Sequence, residues 1–286
     1  MTVVGIAGLG VMGTAIATRL MDTGHTVLAY ETRPDARVRG TVRVDRPAVL
    51  AATDVVLLSS DTANTAEIVR EVVFGPDGVL SAGMGAGAPV VVDMSGIDPD
   101  GTRQFAEQAA AAGAAWVDAL LFGGAPAALT GRLTTMVGGA AEDVARATPV
   151  LDTLAQRITH IGPSGSGQLV RMVNQILTGC AFAAIAESAA LVRAAGLEPE
   201  QVLGALSGDR AEALPQEFFT KFAGLDLNAA GPVGNMVEDL ETAQEYARAS
   251  NVPLPVTAAV SELHRRLGTA GDSDIAALNC TGRATA

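Results

Sequence analysis

Apolar and polar positions change rhythm once along the chain. Residues 3–7, V-V-G-I-A, form a short apolar run that reads as a buried strand, and after the glycines at 8–13 apolar residues recur at helical spacing. H-T-V-L-A-Y-E at 25–31 is a second strand with an acid at its tip. Apolar runs then return at 54–60, 89–95, 114–119, 133–139 and 157–162, separated by helical patterns. Strands alternating with helices predict an α/β fold with a parallel, doubly wound sheet, its last strands mixed in direction. After Gly162-Pro163-Ser164-Gly165-Ser166-Gly167 no strand pattern recurs, and helical stretches are separated by breakers at 196–200, 225–232 and 251–255. The expectation is an α/β domain over 1–161 and an all-helical domain over 162–286. The segment from Gly165 to Ala195 is apolar almost all round. It is expected to be one long interdomain helix, buried on most faces and running between the domains or into a second copy of the chain.

The turn after the first strand carries chemistry. In Gly8-Leu9-Gly10-Val11-Met12-Gly13, Gly8 permits a tight turn, Gly10 lets backbone approach a pyrophosphate, and Gly13 lets helix pack closely on strand. The helix N-terminus then presents unpaired N–H groups and a partial positive charge to phosphates. Glu31 follows Gly13 by 18 residues, near the roughly 20 at which a carboxylate accepts from an adenosine ribose. A glycine triplet alone also fits ordinary turns, and Glu31 alone fits an exposed strand end; the strand–turn–helix–strand context favours a Rossmann-type dinucleotide site. Ligands of such sheets bind beyond the carboxyl ends of the strands. Three turns should therefore gather around one cofactor: Gly8–Gly13, a second containing Ser59 and Ser60 and running to Thr62, and a third from Met94 to Ile97 containing Ser95. Glu31 should repel a 2′-phosphate, whereas Arg33 could reach one, so NAD is favoured over NADP.

Composition narrows the partners. With 31 acidic residues against 19 Lys and Arg, the net charge is −12 and no basic run stands out, so nucleic acid and anionic membrane surfaces are not expected. Glu187 interrupts the most apolar stretch and Arg193 follows it, which speaks against a membrane span. No leader pattern precedes the first strand, and a cytoplasmic location is expected. Cys180 and Cys280 share no metal-ligand spacing, and the three histidines are scattered, so no metal site is expected.

Two later blocks suggest a substrate site. Gly123-Gly124 can offer backbone N–H groups to an anion, or can be a plain strand-to-loop turn. Arg171, Asn174, Gln175 and Thr178 fall at i, i+3, i+4 and i+7, one polar stripe on an apolar helix. Such a stripe is costly to bury unpaired and should face a cleft, unless it is exposed or satisfied within an interface.

At these blocks the chain resembles the β-hydroxyacid dehydrogenases. The likeness covers G-L-G-V-M-G at 8–13, V-V-V-D-M-S at 90–95, D-A-x-x-x-G-G at 118–124, G-x-L-T-x-M-V-G-G at 131–139 and G-x-G-Q-x-x-x-x-x-N-Q at 165–175. It continues at 238–243, 252–257 and 271–278. The resemblance implies hydride transfer between nicotinamide and a small β-hydroxy acid or its carbonyl form, on a homodimer. Three motifs depart from it. The family's acid–base lysine is Arg171 here, and a guanidinium is a poor proton donor, though it can clamp a carboxylate. A serine that the family offers to the substrate carboxylate is Phe122, with Leu120 in place of proline. The family's K-D-L near the cofactor reads Glu238-Asp239-Leu240. The expected reading is an NAD(P)-dependent oxidoreductase with a diverged pocket. Arg171 and Asn174 would be its catalytic residues, and Phe122, Gly123, Gly124 and Gln175 would line its substrate site. The proton would come through water, the cofactor ribose, or Glu238 or Asp239. The alternatives are an imine reductase, against which a fixed cation at Arg171 argues, and a catalytically silent dinucleotide-binding protein.

Overall fold

The computed structural model describes residues 2–60, 64–81, 87–198, 201–202 and 233–268. The chain divides into two compact units, Met1–Arg171 and Met172–Ala286.

The first unit is built on one eight-stranded sheet ordered β3-β2-β1-β4-β5-β6-β7-β8. Its strands are β1 (Val3–Ala7), β2 (Thr26–Tyr30), β3 (Val42–Arg43), β4 (Val55–Leu58), β5 (Val90–Asp93), β6 (Ala115–Phe122), β7 (Leu133–Gly138) and β8 (Ala155–Gly162). The pairings are parallel from β3 through β6, antiparallel between β6 and β7, and parallel again between β7 and β8. The change of direction expected at the C-terminal end is therefore present. Strands β4 and β5 are buried at every residue, as V-V-L-L and V-V-V-D require when helices cover both sheet faces.

Helices α1 (Val11–Asp22), α4 (Gly124–Leu129) and α5 (Ala141–Leu154) supply apolar residues to one core, with Ile16, Leu20, Leu133, Leu151 and Leu154 fully buried. Helices α2 (Thr65–Phe74) and α3 (Pro99–Ala111) cover the other, around Leu50, Val91, Phe105 and Trp116. There the rings of Phe74, Phe105 and Trp116 pack together, with centroids 5.5–6.2 Å apart. The sequence shows neither the two-residue β3 nor α4: both are too short to carry a periodic signal.

Helix α6 (Ser166–Ala194) is continuous over 29 residues, close to the expected span. It is long and apolar enough to cross a membrane by length and composition, as core helices of soluble proteins also are. The expected burial on most faces is not met in the single chain. Phe182, Ile185 and Ala186 pack against Met236 and Leu240 of α7 (Val233–Ala249), while Val173, Leu177 and Leu191 on other faces are 49, 65 and 73% exposed. Among the described residues α7 covers one stripe of α6, and an all-apolar helix has more than one. Helix α8 (Pro255–Gly268) packs on α7. The motif matched at 271–278, the breaker at 225–232, Cys280, and the Asp61–Thr62 end of the second expected turn lie outside the described residues.

Candidate functional site

The order of the strands reverses beside β1, whose neighbours are β2 and β4. The glycine turn leaves the carboxyl end of β1 at this point, where an open α/β sheet leaves a crevice. Its three glycines do different work. Gly8 has φ +100°, and a Cβ there would stand 2.1 Å from the Ser59 carbonyl oxygen. A Cβ at Gly13 would stand 2.0 Å from the Gly8 carbonyl oxygen. Gly10 has nothing within 4 Å of its would-be Cβ, so the loop is open on that side. Val11 is 80% exposed, no side chain caps α1, and no acid sits in its first turn. Backbone compaction at Gly8 and Gly13, open space at Gly10 and an uncapped helix N-terminus suit the approach of a pyrophosphate.

Glu31 stands at the tip of β2 and faces this loop. One carboxylate oxygen accepts from the Leu9 N–H at 2.8 Å and from the Arg33 guanidinium at 3.0 Å; the other accepts from the Arg33 backbone N–H at 3.0 Å. The same guanidinium also donates to the Leu9 carbonyl at 3.1 Å. Burial alone would raise the Glu31 pKa, but the Arg33 side chain and the Arg33 and Leu9 N–H groups outweigh it and hold the carboxyl at about 2. The sequence offered Arg33 and Glu31 as competing cofactor determinants; the fold joins them in one ion pair that also braces the glycine turn.

The turns after β4 and β5 are tied together. The Ser60 N–H donates to the Ser95 hydroxyl at 3.2 Å, and the Ser95 N–H donates to the Asp93 carboxylate at 2.9 Å. Asp93 is fully buried, and its other oxygen has no hydrogen-bond partner. Burial pushes its pKa up to about 7, against the pull of the Ser95 hydrogen bonds; Asp118 adds to the rise and Arg171 opposes it.

Asp118, fully buried on β6, holds the start of α6: its carboxylate accepts the N–H groups of Gly165 at 2.8 Å and Gln168 at 3.1 Å. Burial raises the Asp118 pKa, opposed by those backbone donors and by the Gly167 N–H. The Gln168 amide then donates to the Ser95 carbonyl at 2.7 Å. Arg171 lies three residues on, on the same helix face, and its guanidinium lies against Gly96: a Cβ there would meet Nη1 at 1.9 Å. None of Asp93, Gly96, Asp118 and Gln168 was singled out by residue chemistry. Asp93, Asp118 and Gln168 stood inside the family motifs and Gly96 inside the third expected turn, and an acid or amide embedded in apolar or glycine-rich runs is the signal that could have marked them.

Phe122 ends β6, half-buried, opposite Thr134 of β7. Gly123 and Gly124 follow with φ +117° and +65° and lead directly into α4, so the segment is a strand-to-helix junction with two successive left-handed glycines. In the second unit, Gln175 donates to the Asp239 carboxylate, tying α6 to α7. Asn174 is half-buried on α6, and Glu238 is exposed on α7. Among the described residues no cluster of three or more His, Cys, Asp or Glu side chains is arranged to hold a metal ion.

Comparison with known proteins agrees with this construction. Residues 3–162 match the NAD binding domain of 6-phosphogluconate dehydrogenase, and residues 165–279 match the NAD-binding domain of NADP-dependent 3-hydroxyisobutyrate dehydrogenase. The protein is an NAD(P)-dependent oxidoreductase. The chain is 36% identical to 2-(hydroxymethyl)glutarate dehydrogenase of Eubacterium barkeri, over 91% of its own length and 87% of the relative's. The structure of Mycobacterium tuberculosis 3-hydroxyisobutyrate dehydrogenase with L-serine superposes with a TM-score of 0.88 at 27% identity, covering 99% of this chain and 100% of that one. The chain belongs to the β-hydroxyacid dehydrogenase family. An imine reductase of Streptomyces aurantiacus shares the fold, with a TM-score of 0.62 at 19% identity over 98% of this chain and 99% of that one.

Proposed function

We propose that the protein oxidises a small β-hydroxy acid to its carbonyl form, or runs the reverse reduction, using NAD in preference to NADP, with Arg171 as the anchor for the substrate's carboxylate. The observation that carries the reading is the place of the Arg171 guanidinium, against the Ser95–Gly96 turn beyond the carboxyl end of β5. The Gly8–Gly13 turn, open at Gly10, and the uncapped α1 N-terminus would hold the pyrophosphate. Glu31 takes the adenosine ribose. Arg33 is already engaged by the Glu31 carboxylate and the Leu9 carbonyl, which disfavours its use for a 2′-phosphate and supports NAD. Held there, a nicotinamide would supply the hydride chemistry.

Arg171 presents a planar, permanently charged fork, suited to holding a carboxylate at two points. The left-handed pair Gly123-Gly124 would offer backbone N–H groups to the same anion. Asn174 hydrogen-bonds the reacting oxygen and Phe122 sets the apolar wall, while Gln175, held by Asp239, fixes the helix pair. On oxidation the carbinol carbon gives up a hydride and the hydroxyl gives up a proton. Arg171 does not take that proton, which leaves to water. The chain acts as a homodimer, a reading supported by the apolar residues exposed along α6.

The test is an initial-rate survey with NAD and NADP over hydroxy acids, their methyl esters and cyclic imines. Turnover of free acids but not esters supports the reading; preference for imines supports the imine reductase alternative; tight NAD binding with no turnover of any of them marks a silent binding protein.

A further inference from the structure

We propose that Gly96 is a specificity-determining position that works through Arg171: the bare α-carbon in the turn after β5 is the seat that fixes where the guanidinium lies. The inference rests on the reading of Arg171 as the carboxylate anchor and adds the residue that positions it. A Cβ at 96 would stand 1.9 Å from Nη1, 2.5 Å from Cζ and 2.8 Å from Nη2, so the whole guanidinium overlies this one residue. Gly96 is not among the glycines with positive φ, so the turn itself would accept any L-residue. What demands glycine there is the cation.

The helix that carries Arg171 cannot easily retreat. Asp118 grips its first turn through the N–H groups of Gly165 and Gln168, and the Gln168 amide is fastened to the Ser95 carbonyl, next to Gly96 itself. A methyl group at 96 would therefore displace the guanidinium rather than α6. The displaced atoms are the far end of a flexible side chain, so folding stability should hardly change. At Gly8 and Gly13 the colliding atoms are backbone, and the same substitution is a folding lesion. A lysine at 171 carries its charge on a single narrow ammonium instead of a broad plane. It leaves room for a Cβ at 96, so positions 96 and 171 should be coupled: glycine with arginine, a larger residue with lysine.

The experiment compares wild type, G96A, R171K and the double variant, using the best acid substrate from the survey and saturating cofactor. G96A should raise KM at least about tenfold, as expected for loss of a well-placed charged contact. It should change kcat far less and leave the thermal midpoint in place. In the R171K background the same change should alter KM less than about twofold. An equal KM effect in both backgrounds, or none in wild type, overturns the proposal. An R171M variant separates the two ideas: an unchanged KM in R171M means that the anchor reading has failed. Crystal structures of wild type and G96A then decide the seat alone. Displacement of the guanidinium with turn and helix in place supports it; a shifted turn with the guanidinium unmoved overturns it.

Discussion

The Glu31 carboxylate accepts the Leu9 N–H at 2.8 Å, so the acid at the end of β2 holds the glycine turn that leaves β1. The bond makes the turn sensitive to the charge on Glu31. Its folded pKa of about 2 lies below the ordinary glutamate value of 4.5, so the stability it contributes is present above about pH 4.5 and lost as pH falls toward 2. E31Q should differ from wild type by about 1 kcal/mol at neutral pH, a hydrogen bond to a charge discounted for solvent around Arg33. That difference should vanish by about pH 2. Urea unfolding followed by fluorescence of Trp116, the single tryptophan, measures both, and a gap that persists at low pH would contradict the assignment.

Asp93 should behave in the opposite sense. Burial first of all raises its folded pKa from 3.8 to about 7, so the stability it contributes is complete below about pH 4 and lost as pH rises through 7. D93N keeps an acceptor for the Ser95 N–H and cannot ionise. It should match wild type below about pH 4 and exceed it by up to about 4 kcal/mol at pH 8, each pKa unit being worth about 1.4 kcal/mol. Parallel stability profiles for the two proteins from pH 5 to 8 would count against a titrating Asp93.

The glycines of the first turn should separate by phenotype. G13A drives a Cβ to 2.0 Å from the Gly8 carbonyl oxygen, with only backbone to yield, and should cost about 2–4 kcal/mol or prevent folding. G10A meets nothing within 4 Å and should fold with its stability changed by less than about 1 kcal/mol. Calorimetric titration of G10A with NAD should nonetheless show weakened binding. Equal loss of stability in both variants would mean that Gly10 is a packing glycine like Gly13.

These contrasts show what a sequence can carry. The tasks of Gly8 and Gly13 are local and steric, and they were readable from the turn between strand and helix. The alternation of the strands was readable because β4 is apolar throughout and β5 is apolar up to Asp93. The anchoring of α6 was not, because Asp118 meets Gly165 across 47 residues and Gln168 meets Ser95 across 73, and no spacing rule spans those distances. Glu31 was legible as an acid near a cofactor, but its pairing with Arg33 and Leu9 depends on how β2 ends beside the turn. The exposed faces of α6 escaped for a related reason: composition gives the apolarity of a helix, and only its neighbours give its burial.

The central claim is that Arg171 holds the substrate's carboxylate and transfers no proton. It is tested most directly by the kcat/KM of wild type, R171K and R171M for one β-hydroxy acid from pH 6 to 10. The account predicts that R171M loses at least about a hundredfold, the loss expected for a charged anchor, chiefly through KM. R171K should retain partial activity and gain a basic pH dependence that wild type lacks. A wild-type profile governed by position 171, or an R171M enzyme as active as wild type, would contradict it.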